Sequence, residues 1–167
     1  MVYVLDTNIL IEFSRHYYHE VFPSFWEQLY NLIEDEIIIS LKECQVELKD
    51  NTPFRKEWDI IHNNYGKKFF KELEEGEEKG ITEITKLDVY TKTFKHKGNN
   101  TTLKQQWETY NVAVADPLLI CHGMYHNSTI VTMESPKKCC NIPDVCRKVN
   151  VRCIGLKEFL MENEFKF

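Results

Sequence analysis

Four acidic residues, Asp6, Glu47, Asp116 and Glu134, lie in four separate segments, each beside a junction between a strand-like run and a helical one. Asp6 carries the strongest signal. It stands where Val2-Tyr3-Val4-Leu5 stops and Ile9-Leu10-Ile11 begins, with Thr7 and Asn8 next to it. In open α/β sheets chemistry collects at the carboxyl ends of strands, so a carboxylate, a hydroxyl and an amide would arrive there together. Four carboxylates on one rim repel each other. A hard divalent cation removes that repulsion, and an all-oxygen ligand set suits Mg²⁺ or Mn²⁺ better than zinc. Each acid also has a structural reading: Asp6 and Asp116 as N-caps, Glu47 as a solvated helix residue, Glu134 as a turn residue. The joint order of the four along the chain carries the case.

The elements that must position these acids are legible as apolar patterns. Short runs rich in β-branched residues at 2–5, 37–39, 129–132 and 151–154 read as buried strands. Phe22, Phe25, Trp26, Leu29, Tyr30 and Ile33 recur at helical spacing, which predicts a helix over 23–34 with Pro23 in its first turn. Ser40-Leu41-Lys42-Glu43 has the capping-box form and opens a helix through Leu48, on which Glu43 and Glu47 share a face. Further helices are expected over 53–62, around Trp107 to Val114, from Asp116-Pro117 onward, and over Leu156 to Leu160. Alternating strands and helices imply a mainly parallel sheet built from right-handed crossovers. Residues 63–106 hold most of the charge runs and too few apolar residues for a core of their own. They read as a charged, largely helical insertion in a single domain covering 1–167, with helical turns near 67–75 and 82–94.

Composition narrows the class. At 167 residues, 43% hydrophobic and 28% charged, the chain suits one soluble globular domain. No apolar stretch approaches the ~18 residues of a membrane helix, and no basic segment precedes the first apolar run, so neither a membrane anchor nor a secretory signal is expected. The six cysteines include no CxxC pair, and the adjacent Cys139 and Cys140 fit a tetrahedral zinc shell poorly, so reduced cytoplasmic thiols are expected. The net charge of −5 runs against a general nucleic-acid footprint and fits a carboxylate cluster awaiting a metal. Charge is uneven: Glu72 to Glu78 is acidic, whereas Lys92, Lys95, His96, Lys97 and Lys104 form a basic stretch.

Taken together, these segments resemble the PIN-domain nucleases, above all the VapC-like toxins. Tyr3-Val4-Leu5-Asp6-Thr7-Asn8-Ile9-Leu10-Ile11 is similar to the family's strand-one signature, and Val46-Glu47-Leu48 to its acidic helix motif. Ala115-Asp116-Pro117-Leu118-Leu119-Ile120 resembles the third acidic motif, and Ile130-Val131-Thr132-Met133-Glu134 the fourth, with Glu where Asp is common. The likeness covers both ends of the chain and leaves the insertion unmatched. Phe22-Pro23-Ser24-Phe25-Trp26 and Ile142-Pro143-Asp144-Val145-Cys146 look like a narrower, longer subfamily.

The resemblance implies a three-layer α/β/α PIN-like fold with four to five strands, and metal-dependent hydrolysis of RNA phosphodiester bonds by a toxin held by a cognate antitoxin. It places Asp6, Glu47 and Asp116 on Mg²⁺ or Mn²⁺, with Glu134 completing the catalytic pocket. Thr7, Asn8 and Thr132 would support the acids, with Asp144 as a further addition that also reads as an N-cap. Arg15, His16, Arg55 and the lysines of 86–104 are candidates for substrate contact, with Tyr17 or Tyr18 for stacking on a base. A homodimer is common in the family. Two other functions remain open at this stage: a DNA-directed, flap-type nuclease, and a non-catalytic RNA-binding or interaction module.

Overall fold

A computed structural model describes residues 1–49, 55–108 and 114–166. Its centre is a five-stranded sheet in the order β3-β2-β1-β6-β7, formed by Tyr3–Leu5 (β1), Ile38–Leu41 (β2), Phe70–Lys71 (β3), Thr129–Val131 (β6) and Cys153–Ile154 (β7). Every neighbouring pair is parallel. All residues of β1, β2 and β6 are buried. Such short, wholly buried strands need helices on both faces, which is why they read as continuous, mainly apolar runs and not as alternation.

Helices follow the strands. Thr7–His16 (α1) comes directly after β1, and Pro23–Glu34 (α2) packs Phe25, Trp26, Leu29 and Ile33 inward. Lys42–Lys49 (α3) follows β2, and Arg55–Tyr65 (α4) precedes a single 3₁₀ turn, Gly66–Lys68, that leads into β3. Lys79–Thr85 (α5) and Asp88–Thr91 (α6) are followed by a separate antiparallel hairpin, Phe94–His96 (β4) with Asn99–Thr101 (β5). Leu103–Glu108 (α7), Ala115–His126 (α8), Ile142–Lys148 (α9) and Leu156–Glu162 (α10) complete the layers.

Register sets the site. Leu5 pairs with Val131, which in turn pairs with Ile154. The ladder runs one step further, with Asp6 N–H donating to Val131 O at 3.0 Å and Thr132 N–H to Ile154 O at 3.1 Å. Asp6 and Thr132 therefore leave adjacent strands at the same level.

Several local expectations differ from the structure. Ser40 lies inside β2, and its hydroxyl donates to Leu5 O at 2.8 Å, so it ties two strands and does not cap α3. The helical turn expected near 67–75 is instead the 3₁₀ turn and β3, whose backbone pairs with β2. Residues 94–101 form the β4–β5 hairpin, closed by Lys97 and Gly98, both at positive φ (49° and 85°). Two such residues in a two-residue loop match the right-handed twist of a hairpin.

Candidate active site

Asp6 occupies the N-cap position of α1 in extended backbone, yet its side chain makes no cap bond. Its Oδ2 instead accepts the Thr132 hydroxyl at 2.8 Å and the Asn8 amide at 3.4 Å. The residue is 1% exposed. Burial pushes its pKa up to about 6; the Thr132 and Asn8 hydrogen bonds oppose this, while the charges of Glu134 and Glu47 add to it.

Glu47 lies on α3 and joins two other helices. Its Oε2 accepts the Thr7 hydroxyl at 2.5 Å, and its Oε1 accepts the backbone N–H of Ala115 at 3.1 Å. Those donors belong to the first residues of α1 and α8, whose amides have no intrahelical partner.

Asp116 falls in the first turn of α8. The N-cap is Val114, so the expectation of Asp116 as N-cap is not met and its carboxylate is available to the pocket. Burial holds its pKa well above the ordinary value, and repulsion from Asp6, Glu134 and Glu47 raises it further; a hydrogen bond from Trp107 opposes them.

Glu134 follows β6 and Met133. Its backbone N–H donates to Thr132 Oγ1 at 3.2 Å, and its Oε2 accepts the Ile142 N–H at 2.8 Å, at the start of α9. Burial raises its pKa, while the Ile142 amide and the charges of His96 and Lys138 lower it. Asp144 does not cap α9; Asn141 does, accepting the Asp144 N–H at 3.1 Å. The Asp144 carboxylate accepts the Cys140 N–H at 2.9 Å and meets Arg147 at 3.1 Å, so it orders the loop that carries Glu134.

The four acids thus share one strand-end pocket and act electrostatically on one another. They are not drawn tightly together. Among the described residues, the group whose ligand atoms all come within 4.8 Å of one another is Glu77, His122 and His126, at the other rim.

A cleft of about 520 Å³ opens beside Glu134, with Lys95, His96 and Lys97 of the hairpin and Lys138 along its walls. The structure therefore brings part of the basic stretch to the acids. His96 belongs to the basic stretch read from sequence, whereas Lys138 was not singled out; it follows the fourth acid by four residues, and that proximity is the signal. Other candidates lie elsewhere. Arg15 and His16 occupy the last turn of α1, about 12 Å along the helix axis from Thr7, and His16 pairs with Glu12 at 3.0 Å. The Arg55 side chain falls outside the described residues. Tyr17 stacks on Phe25, ring centroids 4.4 Å apart, so it belongs to the core between α1 and α2, whereas Tyr18 is exposed.

Residues 3–167 match the family described as a domain of unknown function, DUF4411. The chain belongs to that family. No match is found between this DUF4411 chain and curated proteins. Among solved structures it is similar to VapBC2 from Rickettsia felis, determined bound to a DNA fragment from their promoter. The likeness has a TM-score of 0.52 at 13% identity and covers 93% of this chain and 98% of that one. At that identity it establishes the fold: the DUF4411 chain has a three-layer PIN-like architecture around a parallel sheet. Among its described residues no helix is long and apolar enough to cross a membrane.

Proposed function

We propose that this protein is a metal-dependent endoribonuclease that hydrolyses RNA phosphodiester bonds, and that it is the toxin of a toxin–antitoxin pair. The observation that carries the reading is the strand-end grouping of Asp6, Glu47, Asp116 and Glu134, the last of which also lines a cleft walled by Lys95, His96, Lys97 and Lys138. Repelling acids beside a basic groove suit a polyanion that meets a cation.

The donor set fits a hard divalent ion. Asp6 is buried and Asp116 half-buried, and the hydrogen bonds to them come from the neutral groups of Thr132, Asn8 and Trp107. Asp6, Glu47 and Asp116 would hold Mg²⁺ or Mn²⁺. Glu47 is held in place for this by the hydrogen bonds it accepts from the Thr7 hydroxyl and the Ala115 amide. When bound, such an ion lowers the pKa of a water ligand and offsets charge on the leaving oxygen. Glu134 suits the role of general base, because burial brings its pKa nearer neutrality. Thr132 fixes the Asp6 carboxylate and receives the Glu134 N–H, so one hydroxyl aligns two acids. Lys95, Lys97 and Lys138 would hold the RNA backbone.

An apolar groove of about 480 Å³, lined by Tyr17, Met133, Leu156, Leu160, Met161 and Phe165, adjoins the pocket through Met133, which is 47% exposed and directly precedes Glu134. We assign it to an antitoxin segment that reaches the acids, in a cytoplasmic protein able to form a homodimer.

The test is cleavage of single-stranded RNA and of flapped DNA, with and without Mn²⁺ or Mg²⁺. Metal-dependent RNA cleavage that disappears in Asp6→Asn and Asp116→Asn supports the proposal, and full activity in both variants defeats it. Preferential cutting of the flap would favour the DNA-directed reading. A non-catalytic RNA-binding module has one observation in its favour: the Ile142 amide already engages Glu134 Oε2. RNA binding with no metal-dependent cleavage would select it.

A further inference from the structure

Helix α8 begins at the acidic pocket and ends, about 15 Å further on, at the opposite rim of the sheet. There Thr129 N–H, at the start of β6, donates to Val2 O at 2.9 Å, just before β1. His122 and His126 lie one turn apart on this end of α8, with ring centroids 4.4 Å apart. Glu77, in the turn before α5, faces them. We propose that Glu77, His122 and His126 form a second metal site, separate from the acidic pocket, that takes Zn²⁺ or a similar borderline transition-metal ion.

The ligand atoms of the three residues already lie within 4.8 Å of one another. Glu77 is 2% exposed, a burial that a carboxylate does not tolerate without compensation. Its Oε1 accepts the Glu74 N–H at 3.0 Å and meets His126 Nε2 at 2.8 Å. Its Oε2 is buried and has no hydrogen-bond partner among the described residues. A buried carboxylate with one orphaned oxygen, grouped with two imidazoles, is the arrangement a cation would complete.

The surroundings orient the ligands as metal sites require. The Ser128 hydroxyl meets His122 Nδ1 at 3.0 Å, an outer contact that orients the ring and leaves Nε2 to ligate. Gly80 lets α5 approach α8 so closely that a Cβ there would lie 2.8 Å from Cys121 Sγ, and this seats the Glu77 turn against the histidines. Lys71, whose charge acts on His122, is paired with Glu36 at 2.7 Å. A cleft of about 240 Å³ adjoins the group and leaves room for a water ligand, while the His126 side chain, 32% exposed, gives the ion a way in.

Two imidazoles and one carboxylate select zinc-like ions over Mg²⁺, which demands oxygen ligands and keeps its waters. The ion would staple the charged segment containing Glu77 to the helix that carries Asp116. This inference does not depend on nuclease activity.

The experiment is calorimetric titration of the chelator-treated, dialysed full chain with Zn²⁺ in the presence of excess Mg²⁺. One equivalent should bind, raise the melting temperature, and do so equally in the Asp6→Asn/Asp116→Asn double variant. His126→Ala, at a surface position, and Glu77→Gln should each lower zinc affinity by roughly 100-fold or more, and Ser128→Ala by about 10–100-fold. Circular dichroism of the metal-free variants should match that of the parent. Absence of saturable zinc binding would reduce the trio to a hydrogen-bonded His–Glu pair and overturn the proposal. So would zinc binding unchanged in His126→Ala and Glu77→Gln.

Discussion

Glu47 and Ala115 are 68 residues apart in the chain, yet Oε1 of the first accepts the backbone N–H of the second at 3.1 Å. That bond anchors the start of α8 one residue before Asp116. The other Glu47 oxygen holds Thr7, one residue after Asp6. One carboxylate thus spaces Asp6 and Asp116 in the pocket.

Glu47→Ala should therefore cost stability as well as activity. It leaves the Thr7 hydroxyl and the Ala115 amide without their acceptor, a loss of about 1–3 kcal/mol in urea unfolding. Glu47→Gln keeps an acceptor oxygen and should lose less. If both variants unfold at the parent's urea concentration, the bridge carries no structural weight.

The metal-free protein should become less stable as pH rises toward neutrality. Burial raises the folded Asp6 pKa to about 6 from its ordinary 3.8, so between those values the folded state binds the proton that the unfolded state has released. Stability is greatest below about 4, falls through about 6 and then levels off. Asp116 shifts in the same direction and adds to the slope. Asp6→Asn should flatten this part of the profile and stabilise the metal-free protein at neutral pH by on the order of 2–3 kcal/mol. Denaturant melts across this range check it; a parent whose stability rises with pH there would contradict the prediction.

Saturating Mn²⁺ or Mg²⁺ should raise the melting temperature of the parent, because an ion that binds only the folded state stabilises it by mass action. The same addition should leave Asp6→Asn/Asp116→Asn nearly unmoved. Differential scanning calorimetry with and without a chelator reads this directly.

Removing hairpin charge should weaken RNA binding more than chemistry. For Lys95→Ala and Lys97→Ala, the slope of log affinity against log salt should each fall by about 0.7, the value for one phosphate contact on a single strand. Cleavage at saturating RNA should change little. An unchanged salt slope would move the RNA path away from the β4–β5 hairpin.

Gly98→Ala tests the same hairpin through its backbone. At φ 85° an alanine is strained, which should cost about 1 kcal/mol and loosen the turn that presents Lys95 and Lys97. Weaker RNA binding with normal Mn²⁺ stabilisation is the expected pair of results.

Strands β1, β2, β6 and β7 could be read from sequence because a parallel strand buried on both faces leaves an unbroken apolar run. Strand β3 could not, since two residues, Phe70 and Lys71, make no pattern and are held by pairing with β2. The β4–β5 hairpin was hidden by polar residues that favour no period; its one local cue is Lys97-Gly98. The cap expected at Asp116 lies two residues earlier, at Val114: Asp-Pro is a strong cap signal, while the helix here starts at Ala115, whose N–H is satisfied by distant Glu47. The acids were found by their order along the chain. The His122–His126 spacing of one helical turn was visible, but its third member, Glu77, comes from a charged run that reads as solvated surface.

Asp6 reaches Thr132 because β1 and β6 pair Leu5 with Val131 and not with a neighbour. A slip of one residue would turn every side chain of a strand to the opposite face, and the strands are only three residues long. A molecule folded with that error could keep a compact apolar interior and still separate the hydroxyl from its carboxylate. Specific activity, measured against total soluble protein, would then report misaligned molecules that a melting curve passes as sound.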